Sequence, residues 1–260
     1  MKSGSTSIEN WNESGKTYVA WNWKAGGTAS SNTNGSITSS VSANPSAGFS
    51  IVSYTGTGAN ATVGHGLSVA PEMIIIKKRE VATSWMVYNA TVGNDRFLYL
   101  DLTNGQTGTN ADYWNNTTPS SSVISFGNYH RNNSSSEPYI AYAFHSVESY
   151  SKVGSYTGNG STDGTFVHCG FKPAYVMVKR TDAAGTWRVV DASRSTSNVT
   201  NDSLSPNESS AELVDNASII WDLLSNGFKC RSAYGDLNAS GGTYIFYAVA
   251  ESPFKNSNAR

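Results

Sequence analysis

Hydrophobic residues in this chain fall in short runs, rich in β-branched and aromatic side chains, between clusters of Gly, Asn, Ser and Thr. That pattern predicts strands at 49–54, 61–67, 72–79, 84–89, 95–102, 121–127 and 139–146. A second series is predicted at 153–157, 164–169, 174–180, 186–191, 226–231 and 243–250. The run Met73-Ile74-Ile75-Ile76 is apolar at every position, so it should be buried on both faces. Leu213, Val214, Ala217, Ile220, Trp221 and Leu224 lie at helical spacing behind a Ser209–Glu212 cap, which predicts at most a short helix.

The two series are related by a fixed shift. Tyr54 and Tyr156, Pro71 and Pro173, and Trp85 and Trp187 are each separated by 102 residues. Tyr139 and Tyr244 differ by 105, so three residues enter before the last strand. A constant offset over several landmarks is the mark of internal repetition. The fold class expected is therefore all-β, with two tandem antiparallel β-sandwiches of jelly-roll, concanavalin-like type related by duplication. Residues 48–149 would form copy one and 150–260 copy two. The connector Ser149–Lys152 is short enough to hold them close. Residues 1–47 would be an N-terminal arm. In it, 16–23 resembles the closing strands of both copies and should pair its open edge, and 24–47 reads as a Gly/Ser/Asn linker.

Composition narrows the function. Net charge is -1, which argues against a nucleic-acid footprint, and no apolar run approaches a membrane helix. Met1–Ser7 carries no apolar signal core. Charged residues are only 14%, so Ser, Thr and Asn fill the polar positions and leave a neutral, hydroxyl- and amide-rich surface. Cys169 and Cys230 are expected as buried free thiols, with a single bridge as the alternative. Asn-x-Ser/Thr triplets follow from composition alone.

Catalytic signatures are missing from the sequence. His65, His130, His145 and His168 have no metal-ligand spacing, and no nucleophile elbow, zinc-protease or phosphate-loop motif occurs. The carboxylates do not correspond between copies, so no enzyme is expected. Lys77-Lys78-Arg79 and Lys179-Arg180 do correspond. Solvated strand ends explain them better than a repeated anion contact. Loop aromatics beside amides and carboxylates suit sugar recognition, through stacking and directional hydrogen bonds. The candidate ligand-binding residues are Asp112, Tyr113, Trp114, Asn115, Tyr129, Arg131, Tyr234 and Asp236. Loop aromatics folded back on their own domain are the competing reading for each. No cofactor or metal is expected, with a structural calcium ion left open.

Tyr18–Gly27, Gly48–Gly56, Gly154–Gly160 and Ala250–Lys255 resemble a repeat domain of unknown function found in predicted virion proteins of marine bacteriophages. The resemblance covers about residues 16–256 and implies a tail-fibre or surface-fibre protein with lectin-like domains. It implies host surface glycan and other virion proteins as partners, and a homo-oligomer, trimeric by analogy with phage fibres. The location implied is the virion, after synthesis in the host cytoplasm. Relatives carry a further upstream copy, whose closing strand would open this chain. A purely architectural role (capsid decoration or fibre joint) is the alternative, and a polysaccharide-degrading enzyme a third.

Overall fold

The computed structural model describes residues 14–252. In chain order the strands of the first part are β1 (Ser30–Asn32), β2 (Ser39–Asn44), β3 (Phe49–Thr55), β4 (Ala61–Gly64), β5 (Met73–Lys78), β6 (Met86–Asn89), β7 (Leu98–Tyr99), β8 (Val123–Phe126) and β9 (Pro138–Phe144). Then come β10 (Ser151–Thr157), β11 (Phe166–His168), β12 (Pro173–Arg180), β13 (Arg188–Asp191), β14 (Trp221–Leu224) and β15 (Gly227–Cys230). A one-turn helix α1 (Gly235–Asn238) precedes β16 (Thr243–Ala250). The protein is all-β, and each ladder between these strands is antiparallel.

A large sheet runs β1-β2-β3-β9-β5-β6-β7 and faces the two-stranded sheet β4-β8. In the later part, β10-β16-β12-β13 faces β11-β15-β14. The order β3-β9-β5-β6 thus recurs as β10-β16-β12-β13. Registers match too: Ile75 lies between Val87 and Tyr142, as Met177 lies between Val189 and Tyr247. Tyr54 stacks on Tyr139 at 5.2 Å and donates its hydroxyl to Asn132 O at 2.7 Å. Tyr156 stacks on Tyr244 at 4.9 Å and donates to Leu237 O at 2.7 Å.

Three apolar clusters explain the strand patterns. One fills the space between the first pair of sheets, with Ile74, Ile76, Tyr139, Ile124 and Phe126. Another fills the second pair, with Val176, Val178, Tyr244, Trp221 and Phe228. The third joins the outer faces of the two large sheets: Met73, Val87, Leu98 and Phe144 meet Tyr175, Met177, Trp187, Val189 and Tyr247. This accounts for the unbroken apolar run at 73–76. Ile74 and Ile76 point into the first cluster, while Met73 and Ile75 point to the other large sheet. Period-two alternation puts successive side chains on opposite faces, and here both faces are covered.

Four expectations are corrected. Residues 16–23 form no strand in this chain. Their indoles dock instead: Trp21 and Trp23 lie edge-on to Tyr175 at 5.5 and 5.8 Å, and Trp23 Nε1 donates to Tyr247 Oη at 3.1 Å. The linker 24–47 contains β1 and β2, which extend the large sheet, with Ile37 and Val41 in its core. The helix expected near 213–224 is absent. Trp221–Leu224 is strand β14, and Leu213 bridges Ser203. The predicted strand 95–102 shrinks to Leu98–Tyr99. Cys169 and Cys230 are buried and unbridged, and burial pushes both thiols up to about 12.

Candidate functional site

The loop after β8 turns back toward the end of β5. Its Asn133 side chain, fully buried, ties it down by donating to Ala59 O and Gly127 O at 2.6 and 2.7 Å. Tyr139 donates its hydroxyl to His130 O at 2.9 Å. These bonds set Tyr129, His130 and Arg131 beside the β5–β6 turn. An open cleft of about 620 Å³ results, lined by Lys77, Thr83, Ser84, Asp101, His130 and Arg131.

Aromatic rings wall the region next to it. Tyr113 and Tyr129 meet at 4.7 Å, both contact Phe97, and Phe97 contacts Tyr99 at 4.8 Å. The Arg131 guanidinium lies 5.3 Å over the Tyr99 ring, and its Nε donates to Tyr129 Oη at 3.3 Å. That stacking orients the cation while leaving N–H groups to point outward. Burial, with Arg131 and Lys78 nearby, lowers the His130 pKa from 6.5. Asp101 accepts the Trp85 backbone N–H at 3.1 Å.

Tyr113, Tyr129 and Arg131 are therefore brought together. Trp114 is not part of the surface: its side chain is fully buried, edge-on to Tyr88 at 5.1 Å, and its Nε1 donates to Arg96 O at 2.7 Å. A ring with no exposed face cannot stack on a sugar. Asp112 and Asn115 are exposed, and Asn115 Oδ1 is used by Asn60 at 2.8 Å. Tyr234 and Asp236 sit in the second part, at the position that Tyr129 and Arg131 hold in the first. The correspondence is set by Tyr244, which donates to Gly235 O at 2.7 Å as Tyr139 does to His130 O. Asp236 is committed internally, to the Arg188 guanidinium at 2.9 and 3.1 Å and to Thr186 N at 3.2 Å. Lys77, Thr83, Ser84, Asp101 and His130 were not among the candidates. The one signal for them was the match of Lys77 with Lys179.

Lys179 shows what that position can do. Its ammonium, fully buried, donates to Gly185 O at 2.5 Å and to Thr103 O at 2.9 Å. Gly185 N also donates to Thr103 O, at 2.8 Å, and Gln106 N donates to Thr181 O at 2.7 Å. The segment 103–106 thus plugs the second part's equivalent of the cleft. Burial lowers the Lys179 pKa to about 8, with Asp236 opposing. A lysine with a lowered folded pKa binds fewer protons folded than unfolded between about 8 and 10.5, so stability rises with pH there. The stability difference between wild type and Lys179→Met, followed by urea unfolding, should therefore grow across that window. A difference flat in pH would contradict it.

A separate apolar groove of about 470 Å³ lies between the large sheets, where Trp85, Leu100 and Pro206 approach Trp21 and Trp23. No group of metal-ligating side chains occurs among the described residues. Residues 1–253 match the family model described as Domain of unknown function (DUF7483). The chain belongs to that family. No curated protein and no solved structure matches this DUF7483 chain.

Proposed function

We infer that this DUF7483 chain is a non-enzymatic bacteriophage surface or tail-fibre protein that binds host glycan through the cleft between Lys77 and Arg131. In this reading its two parts are jelly-roll, concanavalin-like modules descended from one by duplication. The observation that carries the binding role is the open cleft itself. It combines hydroxyl, cationic and carboxylate groups on a rigid β scaffold, beside tyrosines that pack edge-on. Sugars need that mixture: directional hydrogen bonds for hydroxyls and aromatic surface for C–H faces. The recurrence of strand order, registers and tyrosine contacts supports the duplication, and the phrases shared with marine phage proteins support the virion setting.

Single-site affinity for such a shallow cleft would be weak, and display on an oligomeric fibre would raise it through avidity. An array of host-surface glycans probed with the chain in multivalent form should give binding. Arg131→Ala should lower it at least tenfold while thermal unfolding stays unchanged within a few degrees. Absence of binding at high valency would leave the architectural reading. Release of reducing ends from a polysaccharide would establish the enzymatic one.

A further inference from the structure

The chain contains its own example of what this kind of cleft holds. In the second part, the Lys179 ammonium and the Gly185 N–H converge on one acceptor, the carbonyl oxygen of Thr103. The first part presents the same two donors. Lys77 occupies the place of Lys179 on the strand, and it donates to Thr83 O just as Lys179 donates to Gly185 O. Thr83 N–H takes the place of Gly185 N–H. Among the described residues no chain segment fills the space in front of them, and the cleft stands open. In addition, Thr83 Oγ1 is buried with no hydrogen-bond partner among the described residues. A buried hydroxyl left unpaired is unfavourable, so a ligand atom that engages it gains affinity.

The difference in charge says what the ligand carries. In the second part, where a neutral carbonyl is bound, the positions after the loop tyrosine are Gly235 and Asp236. In the first part they are His130 and Arg131. An acid is replaced by a fixed cation that lines the cleft, and Asp101 is the one carboxylate opposite. A seat of two donors that takes a carbonyl oxygen, with a guanidinium fork added, fits the planar pair of oxygens of a carboxylate.

We propose that the Lys77–Thr83–Arg131 cleft binds the carboxylate of an acidic sugar. The proposal rests on the glycan reading above and names its ligand class. Lys77 Nζ and Thr83 N–H hold one carboxylate oxygen. Arg131, and Thr83 Oγ1 as donor, hold the other. Asp101 is left to accept a ring hydroxyl.

Calorimetric titration with galacturonate oligosaccharides, neutral galacto-oligosaccharides and sulfated galactan oligosaccharides tests it. The uronate should bind at least tenfold tighter than the neutral sugar, and Lys77→Met and Arg131→Gln should each erase that preference. Should Lys77→Met unfold, Thr83→Val gives the same reading at a position without charge. Neutral and acidic sugars bound alike, or a preference untouched by these variants, would overturn the carboxylate assignment and leave glycan binding standing. Preference for the sulfated oligosaccharide would overturn it too. In a parallel NMR titration, free glucuronate and acetate should move the Thr83 amide signal and methyl glucoside should not. That result with no oligosaccharide bound would keep the carboxylate seat and sink the glycan reading. A Thr83 signal that neither acid moves would sink the seat itself.

Discussion

Replacing Trp187 with alanine should cost about 3–5 kcal/mol, the range for truncating a buried large aromatic. Trp187 is 1% exposed and sits in the cluster that joins the two large sheets. Its Nε1 donates to Tyr99 O, in the first part of the chain, at 2.7 Å. Truncation leaves a cavity and also strips that carbonyl of its partner. For a chain of this size the loss corresponds to a fall in Tm of roughly 6–20 °C. Trp85 is the internal control. It holds the matching position but is half-buried beside the groove, under the Lys77 ammonium at 5.6 Å. Trp85→Ala should cost only about 1 kcal/mol, the typical size for a substitution outside the tight core. Calorimetric unfolding of both variants decides it. Because Trp187 links the two parts, its loss should also broaden or split the transition. Equal costs at the two positions would mean that the contact between large sheets carries little of the stability.

The strands with large apolar side chains were legible in the sequence. Their signal is burial, and Ile74, Ile76, Val176 and Val178 are buried for the reason their pattern suggests. What escaped was structure held by backbone and hydroxyl groups. Strand β2 is mostly Ser, Ala and Asn, with Val41 its one large side chain. It is a strand because its backbone pairs with β3. Ser39 and Ser42 are buried and donate to Gly64 O and Gly27 O at 2.9 and 2.7 Å. Gly66, at φ +72, lets the chain pass close to Val41, whose methyl would lie only 2.8 Å from an added Cβ. None of this shows in an apolar pattern.

The false helix has a different origin. Val214 and Ala217 were counted in its apolar face, yet both are exposed. Ile219, Trp221 and Leu223 are the buried set, and their spacing of two marks a strand end. The helical reading took Ile220 instead of Ile219. At 16–23 the aromatic content was read as a strand, but the rings act through edge-on packing and need no ladder.

The site was legible in part for a related reason. Tyr113, Tyr129 and Arg131 are close in sequence to one another and to turn residues. Lys77, Thr83 and Asp101 reach the cleft only through the fold. Trp114 looked like a loop aromatic because its partners, Tyr88 and Phe126, come from strands far away in sequence. Matching the two parts position by position carries more information here than either part alone. It turns Lys77 from a solvated strand end into the counterpart of a buried, doubly bonded lysine.

Asn238→Asp should be the most damaging isosteric change. Asn238 is fully buried in α1. Its Nδ2 donates to Asn159 Oδ1, Ser161 O and Ser232 O at 2.9, 2.8 and 3.0 Å, while its Oδ1 accepts Asn159 N at 2.9 Å. Aspartate keeps the shape but aims a carboxylate oxygen at three acceptors. Each contact turns from attraction to repulsion, and none of the hydrogen-bond partners of Asn238 is a cation. A buried charge without compensation costs about 3–5 kcal/mol. The sign with pH follows. Burial among acceptors raises the folded pKa of the new carboxyl above its unfolded value, so the folded state holds the proton longer. The variant should lie near wild type in acid and lose stability as pH rises through the interval between the two values. Asn133, which faces Ala59 O and Gly127 O in the same way, should respond alike to Asn133→Asp. Urea unfolding of Asn238→Asp between pH 4 and 8 is the measurement. A loss below about 1 kcal/mol at pH 7, or one constant across that range, would show that the loop around α1 holds without its buried amide.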